Sequence, residues 1–152
     1  MTFDHHIIML VNKFSDKTKA AGGNMPFIEV FDFEATSAQR EVATELLTES
    51  LCMAYDISRS IVSIYFFDVS ARGYGHAGRF HDKASVNRIF IKIHAFMRTE
   101  TDRMVAAARI TEATMLAYDT TSPKQIVVYF LDRDPSEVSH GGILESKNHI
   151  NT

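Results

Sequence analysis

The strongest constraint on this chain is an internal repeat. Sliding the sequence along itself by 63 residues lays residues 26–56 over residues 89–119. Phe27 then falls on Phe90, Phe33 on Phe96, Thr36 on Thr99 and Arg40 on Arg103. Ala54-Tyr55-Asp56 falls on Ala117-Tyr118-Asp119. One inserted residue moves the offset to 64, and Tyr65-Phe66 meets Tyr129-Phe130, Asp68 meets Asp132, and His76-Ala77-Gly78 meets His140-Gly141-Gly142. A fixed period of this length marks a duplicated supersecondary unit.

Each copy reads strand, helix, strand. Residues 26–33 and 88–96 are rich in Phe, Ile and Val with partial alternation, as strands require. Thr36-Ser-Ala-Gln39 and Thr99-Glu-Thr-Asp102 resemble helix-capping signals, with Asp a weaker third-position partner than Glu or Gln. In the first helix Val42, Ala43, Leu46, Leu47, Leu51 and Ala54 share a face at helical spacing. In the second, Met104, Val105, Ala108, Met115 and Leu116 are assigned to the buried face. Residues 61–67 and 125–131 are nearly continuous apolar runs, which suits strands paired inside a sheet. The strands of a β-α-β unit run parallel through a right-handed crossover. The expected fold is therefore α+β: two tandem units in one four-stranded mixed sheet, with both helices on one face. The other sheet face also carries Phe and Ile, and an uncovered apolar face favours self-association.

The repeat sets the expected domain plan: an extension over residues 1–24, a domain over 25–145, and a tail over 146–152. The first copy spans about 26–78 and the second about 89–142. The extension ends in a polar, glycine-containing stretch that reads as a linker. Residues 69–87 connect the copies, and residues 143–152 read as polar.

Of the 152 residues, 45% are hydrophobic and 23% charged, the composition of an ordinary globular protein. The net charge of −3 carries no footprint for nucleic acid or anionic lipid. A lone Cys52 forms no internal disulfide and suits a reducing compartment. No apolar run reaches membrane-spanning length, and no secretory signal precedes the repeat. These points set the expectation of a cytoplasmic protein with no nucleic-acid or membrane partner. The seven histidines show no metal-ligand spacing, and no phosphate loop or nucleophile elbow is present. No metal or cofactor is expected.

The stretch Met25-Pro26-Phe27-Ile28-Glu29-Val30-Phe31, opening a β-α-β unit, resembles the start of proteins of the tautomerase superfamily. The likeness covers about residues 25–145. It is nearest to the branch of malonate semialdehyde decarboxylase and cis-3-chloroacrylic acid dehalogenase, with macrophage migration inhibitory factor as a further relative. Gly73-Tyr74-Gly75, Met97-Arg98-Thr99-Glu100, Ile126-Val-Val-Tyr129-Phe130 and residues 134–142 resemble segments of that branch, in the same order. The resemblance implies a homotrimer and an N-terminal proline that acts as acid or base. A free secondary amine titrates near pH ~8, and an apolar pocket near cations lowers that value. It then moves a proton on the carbon beside a carbonyl near neutral pH.

Pro26 holds the matching position, but 25 residues precede it, and an internal proline nitrogen is an amide without a basic lone pair. Either translation or processing starts the mature chain at Pro26, or the extension stays and proline chemistry is closed. The repeat begins at Pro26 and nothing upstream has a partner, which favours the first.

The resemblance also assigns Arg98 as a carboxylate anchor, a task that suits the guanidinium fork. Tyr129 becomes a hydrogen-bond donor to a carbonyl or enolate oxygen. His140 becomes an acid or base, although its repeat mate His76 points equally to a structural role at a bend. Phe27 and Phe96 are the expected pocket walls, with Arg72 or Arg79 as a further cation. Phe96 stands where the decarboxylase has a second arginine, and Leu51 where the dehalogenase has a histidine. Dehalogenation is therefore not expected. The expected function is a cofactor-independent tautomerase-like enzyme, an isomerase or related decarboxylase, acting on a small carbonyl acid. It is conditional on Pro26 being the mature N-terminus. The alternative is a catalytically silent oligomeric scaffold or binding protein on the same fold.

Overall fold

The computed structural model describes residues 25–84 and 86–148; the expected extension over residues 1–24 lies outside the described residues. Strand β1 (Phe27–Asp32) leads into helix α1 (Ser37–Tyr55) and returns as β2 (Ser63–Asp68). The second copy repeats this as β5 (Ile89–Phe96), α2 (Glu100–Tyr118) and β6 (Ile126–Arg133). The four strands form one sheet in the order β2-β1-β5-β6. The outer pairs are parallel and the central β1–β5 pair is antiparallel, with Phe27 opposite His94 and Phe31 opposite Phe90. The copies are thus joined head to tail: β1 begins where β5 ends. A small hairpin follows each copy, β3 (Gly75–His76) with β4 (Arg79–Phe80) and β7 (Ser139–His140) with β8 (Ile143–Leu144). A short helix α3 (Glu145–Asn148) closes the described chain, so part of the expected polar tail is structured.

Local chemistry explains the boundaries. Thr36 and Thr99 each accept a hydrogen bond from the backbone N–H three residues on, while Gln39 and Asp102 reach back to the cap N–H. Both capping boxes are therefore complete, the second with the shorter Asp. Asp56 and Asp119 end the helices in the left-handed region, at φ 51° and 52°, which short polar side chains tolerate better than most. The hairpins turn through Ala77-Gly78 and Gly141-Gly142, all at positive φ, the geometry of a two-residue turn that matches strand twist. His76 and His140 both stand immediately before this turn.

The core lies between the helices and one sheet face. Ile28, Val30, Ile91 and Ile93 meet Ala43, Leu47 and Leu51 of α1 and Ala106, Ile110 and Ala117 of α2. The α1 assignment holds. The α2 assignment is corrected in part: Met104 is 67%, Leu116 57% and Val105 40% exposed, and Ala108 is exposed too, while Met115 is partly buried against the core and Ala106, Ile110, Ala113, Thr114 and Ala117 face inward. The helices share one sheet face and pack on each other, and helix axes approach to roughly 8–10 Å only over small side chains. Alanine therefore outranks methionine at that seam.

One polar cluster sits inside this apolar layer. Asp32, fully buried on β1, accepts from Arg40 of α1 at 2.7 and 3.1 Å and from the Tyr118 hydroxyl of α2 at 2.8 Å. Arg40 also reaches Asp68 of β2 at 2.6 Å. At the opposite sheet end Arg103 pairs with Asp132, and Ala95 occupies the place of Asp32. The two ends predict different costs. Asp32→Ala leaves a guanidinium partly uncompensated and is expected to destabilise by about 3–5 kcal/mol. Asp132→Ala breaks a half-exposed pair and costs no more than about 1 kcal/mol. Met104→Gln stays within about 0.5 kcal/mol. Urea unfolding midpoints separate the three, and equal losses at Asp32 and Asp132 would refute the ranking.

Candidate functional site

Pro26 opens β1 with its ring less than 2% exposed, on the helix side of the sheet by alternation with Ile28 and Val30. Its carbonyl accepts from Ser63 N at 3.4 Å. The C-terminal ends of β5 and β6 lie at the same sheet end, with Phe96 opposite Arg133. This end therefore gathers Pro26, Phe27, Phe96 and, two residues past β5, Arg98.

Arg98 stacks its guanidinium carbon 4.7 Å from the ring centre of Tyr55, which ends α1. This is a cation–π contact. The Arg98 Nε is buried with no hydrogen-bond partner, and among the described residues Arg98 forms no ion pair. Burial pushes the Tyr55 hydroxyl up to about 12, against the opposing pull of Arg98 and Arg103. Tyr55 therefore stays a neutral phenol beside an uncompensated cation.

The remaining predicted residues are dispersed within one chain. Tyr129 stands opposite Lys92, and Lys92 opposite Glu29. That places Tyr129 two strands across and three residues along from Pro26, about 10 Å in each direction. Tyr129 is exposed on the face away from the helices, edge-on to Phe90 at 4.9 Å. His140 is exposed in the hairpin that follows β6, and so follows the Pro26 end. Arg72 is exposed in a turn after β2, at the other end of the sheet, and Arg79 is exposed on β4.

Sequence reasoning missed a charged thread on the back face. His94, 8% exposed, stacks on Phe27 at 4.2 Å and contacts Glu29 Oε2 through Nε2 at 2.9 Å. Arg133 Nε and Nη2 lie 3.2 and 3.0 Å from His94 Nδ1. A guanidinium carries only donors, so Nδ1 accepts and Nε2–H donates to Glu29. The geometry thus selects a neutral histidine with a defined tautomer. The hydrogen bond from His94 holds the Glu29 carboxyl below its usual range, with burial opposing and Lys92, 3.5 Å away, assisting. The expected apolar back face is therefore corrected: it is aromatic but crossed by charge. The available signal was Lys92 and His94 at alternate positions of an otherwise apolar strand.

Among the described residues, no group of three or more His, Cys, Asp or Glu side chains is placed to hold a metal ion. No helix of the described residues is long and apolar enough to cross a membrane.

By sequence, the chain matches no protein-family profile and no curated protein. By structure, it is similar to a fused 4-OT described as the R7 wild-type asymmetric trimer, at 18% identity and TM-score 0.73, covering 81% of this chain and 98% of that one. It is also similar to Pt0534 inactivated by 2-oxo-3-pentynoate, at 15% identity and TM-score 0.71, covering 82% and 99%. A third is N1, a member of the cis-3-chloroacrylic acid dehalogenase family, at 19% identity and TM-score 0.66, covering 78% and 82%. The chain has the fold of the tautomerase superfamily, as the resemblance implied.

The buried phenol generates a prediction. An unfolded tyrosine ionises near pH ~10, so the unfolded chain releases that proton before the native one. Native stability then falls as pH rises from ~10 through about 12. Tyr55→Phe is expected to flatten this alkaline limb, read from urea midpoints against pH. A residual slope remains from Tyr118, whose hydroxyl is also raised by burial and by donation to Asp32. An unchanged slope in Tyr55→Phe would disprove the assignment.

Proposed function

We propose that this protein is a cofactor-independent enzyme that moves a proton on the carbon beside a carbonyl, working from the sheet end where Pro26 lies. The observation that carries the reading is Arg98: a guanidinium with no acid partner among the described residues, buried at Nε, at the same end as Pro26. Leaving a buried donor unpaired is costly, and a substrate carboxylate would satisfy it. The neighbours' fold supports the reading, as does the 2-oxo compound that inactivates Pt0534.

In this mechanism the chain that acts begins at Pro26. Its freed secondary amine lies at the same sheet end as Arg98, whose charge would disfavour the protonated form. The amine accepts the proton alpha to the substrate carbonyl, the C–H electron pair becomes the enolate, and the amine returns the proton to a different atom of the conjugated system. Arg98 holds the carboxylate. An enolate oxygen needs a donor, and Tyr129 supplies it from a neighbouring copy in a homotrimer, because within one chain it stands too far from Pro26. Phe27 and Phe96 stand at this end on the face away from the helices and border the site from that side, and His140 on the adjacent hairpin provides a second proton carrier. Keto–enol tautomerisation of a 2-oxo acid fits this set, and decarboxylation of a 3-oxo acid draws on the same enolate stabilisation. The site works in the cytoplasm without metal or cofactor.

A second reading, a silent oligomeric scaffold on the same fold, follows if the peptide bond between Met25 and Pro26 persists. One comparison decides between them. A chain beginning at Pro26 and the full chain are assayed with an enolisable 2-oxo acid such as phenylpyruvate. Activity is expected only in the former, with kcat reduced about 10²–10⁴-fold by Pro26→Ala. Arg98→Gln is expected to raise KM by about tenfold to a hundredfold, the loss of a charged hydrogen bond. Equal activity of both chains, or none from either, rules out the proline mechanism.

A further inference from the structure

The two ends of the sheet are built from repeat-related residues, yet a cavity of about 210 Å³ opens at the end away from Pro26. Ile89 lines it in the place that Pro26 holds in the first copy. Tyr118 replaces Tyr55, Phe33 replaces Phe96, and Gln39 replaces Asp102. The repeat mate of Arg98 is Ala35, so this end has neither a proline nor the anchoring guanidinium.

Its polar groups are uncharged. Gln39, Asn87 and Gln125 contribute side-chain amides and Thr120 a hydroxyl. Gln39 Oε1 accepts from Thr36 N at 2.9 Å, which leaves its NH₂ as a donor. Among the described residues, the side-chain amides of Asn87 and Gln125 make no hydrogen bond. The Tyr118 hydroxyl is committed to Asp32, and Arg40 neutralises Asp32. Phe33 and Ile89 supply the apolar part.

We propose that this cavity is a second ligand site, for a small neutral molecule bearing a carboxamide or lactam edge. Side-chain amides beside an apolar wall offer both donors and acceptors, which an amide edge matches on both sides. A carboxylate would shed hydration there and find no cation among the lining residues. The volume is below the roughly 300–1,000 Å³ of pockets that hold drug-sized ligands, so the occupant is a single ring or smaller. The site stands independently of whether Pro26 is ever exposed.

The test uses the full chain, labelled with nitrogen-15, titrated with benzamide and separately with the isosteric anion benzoate. Benzamide is expected to shift the side-chain amide signals of Gln39, Asn87 and Gln125 saturably, and benzoate to leave them in place. Asn87→Leu and Gln125→Leu are each expected to weaken benzamide by about tenfold, the loss of one or two hydrogen bonds. Asn87 is exposed, so its replacement keeps the fold, and an unchanged amide spectrum elsewhere verifies this. The proposal is overturned if benzamide shifts none of the three signals, if benzoate shifts them equally, or if both variants bind benzamide as the parent does. Loss of proline activity has no bearing on any of these readings.

Discussion

Asp32 ties the whole domain together. Its carboxylate is buried on β1, its partners come from α1 and α2, and Arg40 carries the link on to β2. Three elements therefore meet at one carboxylate, and Arg40 extends the cluster to a fourth. Removing a carboxylate from water is expensive, and only a well-formed set of donors offsets it. That requirement fixes the angle and register at which both helices lie on the sheet. The apolar core supplies the driving force, but apolar contacts alone tolerate several packings.

The duplication gives two sheet ends that started alike and now differ in charge. At one, Arg40 is held between two carboxylates and Tyr118 donates to the buried one. At the other, Ala95 replaces Asp32, Arg103 has Asp132, and Arg98 has no acid partner among the described residues. The same scaffold thus presents one end where Arg98 has no acid partner among the described residues and another whose cavity is lined by side-chain amides. The difference rests on a handful of substitutions between repeat mates, Pro26 against Ile89 and Arg98 against Ala35 foremost.

The face of the sheet away from the helices follows another logic. Phe31 stacks on Phe67 and Phe90, and Lys92 lies 4.9 and 5.6 Å from the rings of Phe31 and Phe90. Glu29, His94 and Arg133 cross this aromatic surface in hydrogen-bonded order. Because Arg133 only donates, it forces His94 to accept on Nδ1, and the tautomer is settled by a residue 39 positions away in the chain. A copy packing on such a face would have to match its charge as well as its shape.

The sequence by itself determined the duplication, the β-α-β order, the mixed four-stranded sheet and both capped helix starts. These are local or periodic properties, and a repeat displays them twice. It also offered Pro26 and Arg98 as candidates, Pro26 because the repeat begins there and both because they match segments that carry the family resemblance. It misjudged the inward face of α2, where close helix packing selects Ala106, Ala113 and Ala117 over the larger Met104 and Leu116. Only the tertiary structure decided that Asp32, Arg40 and Tyr118 form one cluster, that Glu29, His94 and Arg133 form another, and that Tyr129 lies far from Pro26 within a chain. Those facts depend on strand register and on which side chains face each other across elements. Alternation along one segment fixes which face a side chain takes, but a slip of two residues keeps that face, so it does not choose which side chains meet across strands.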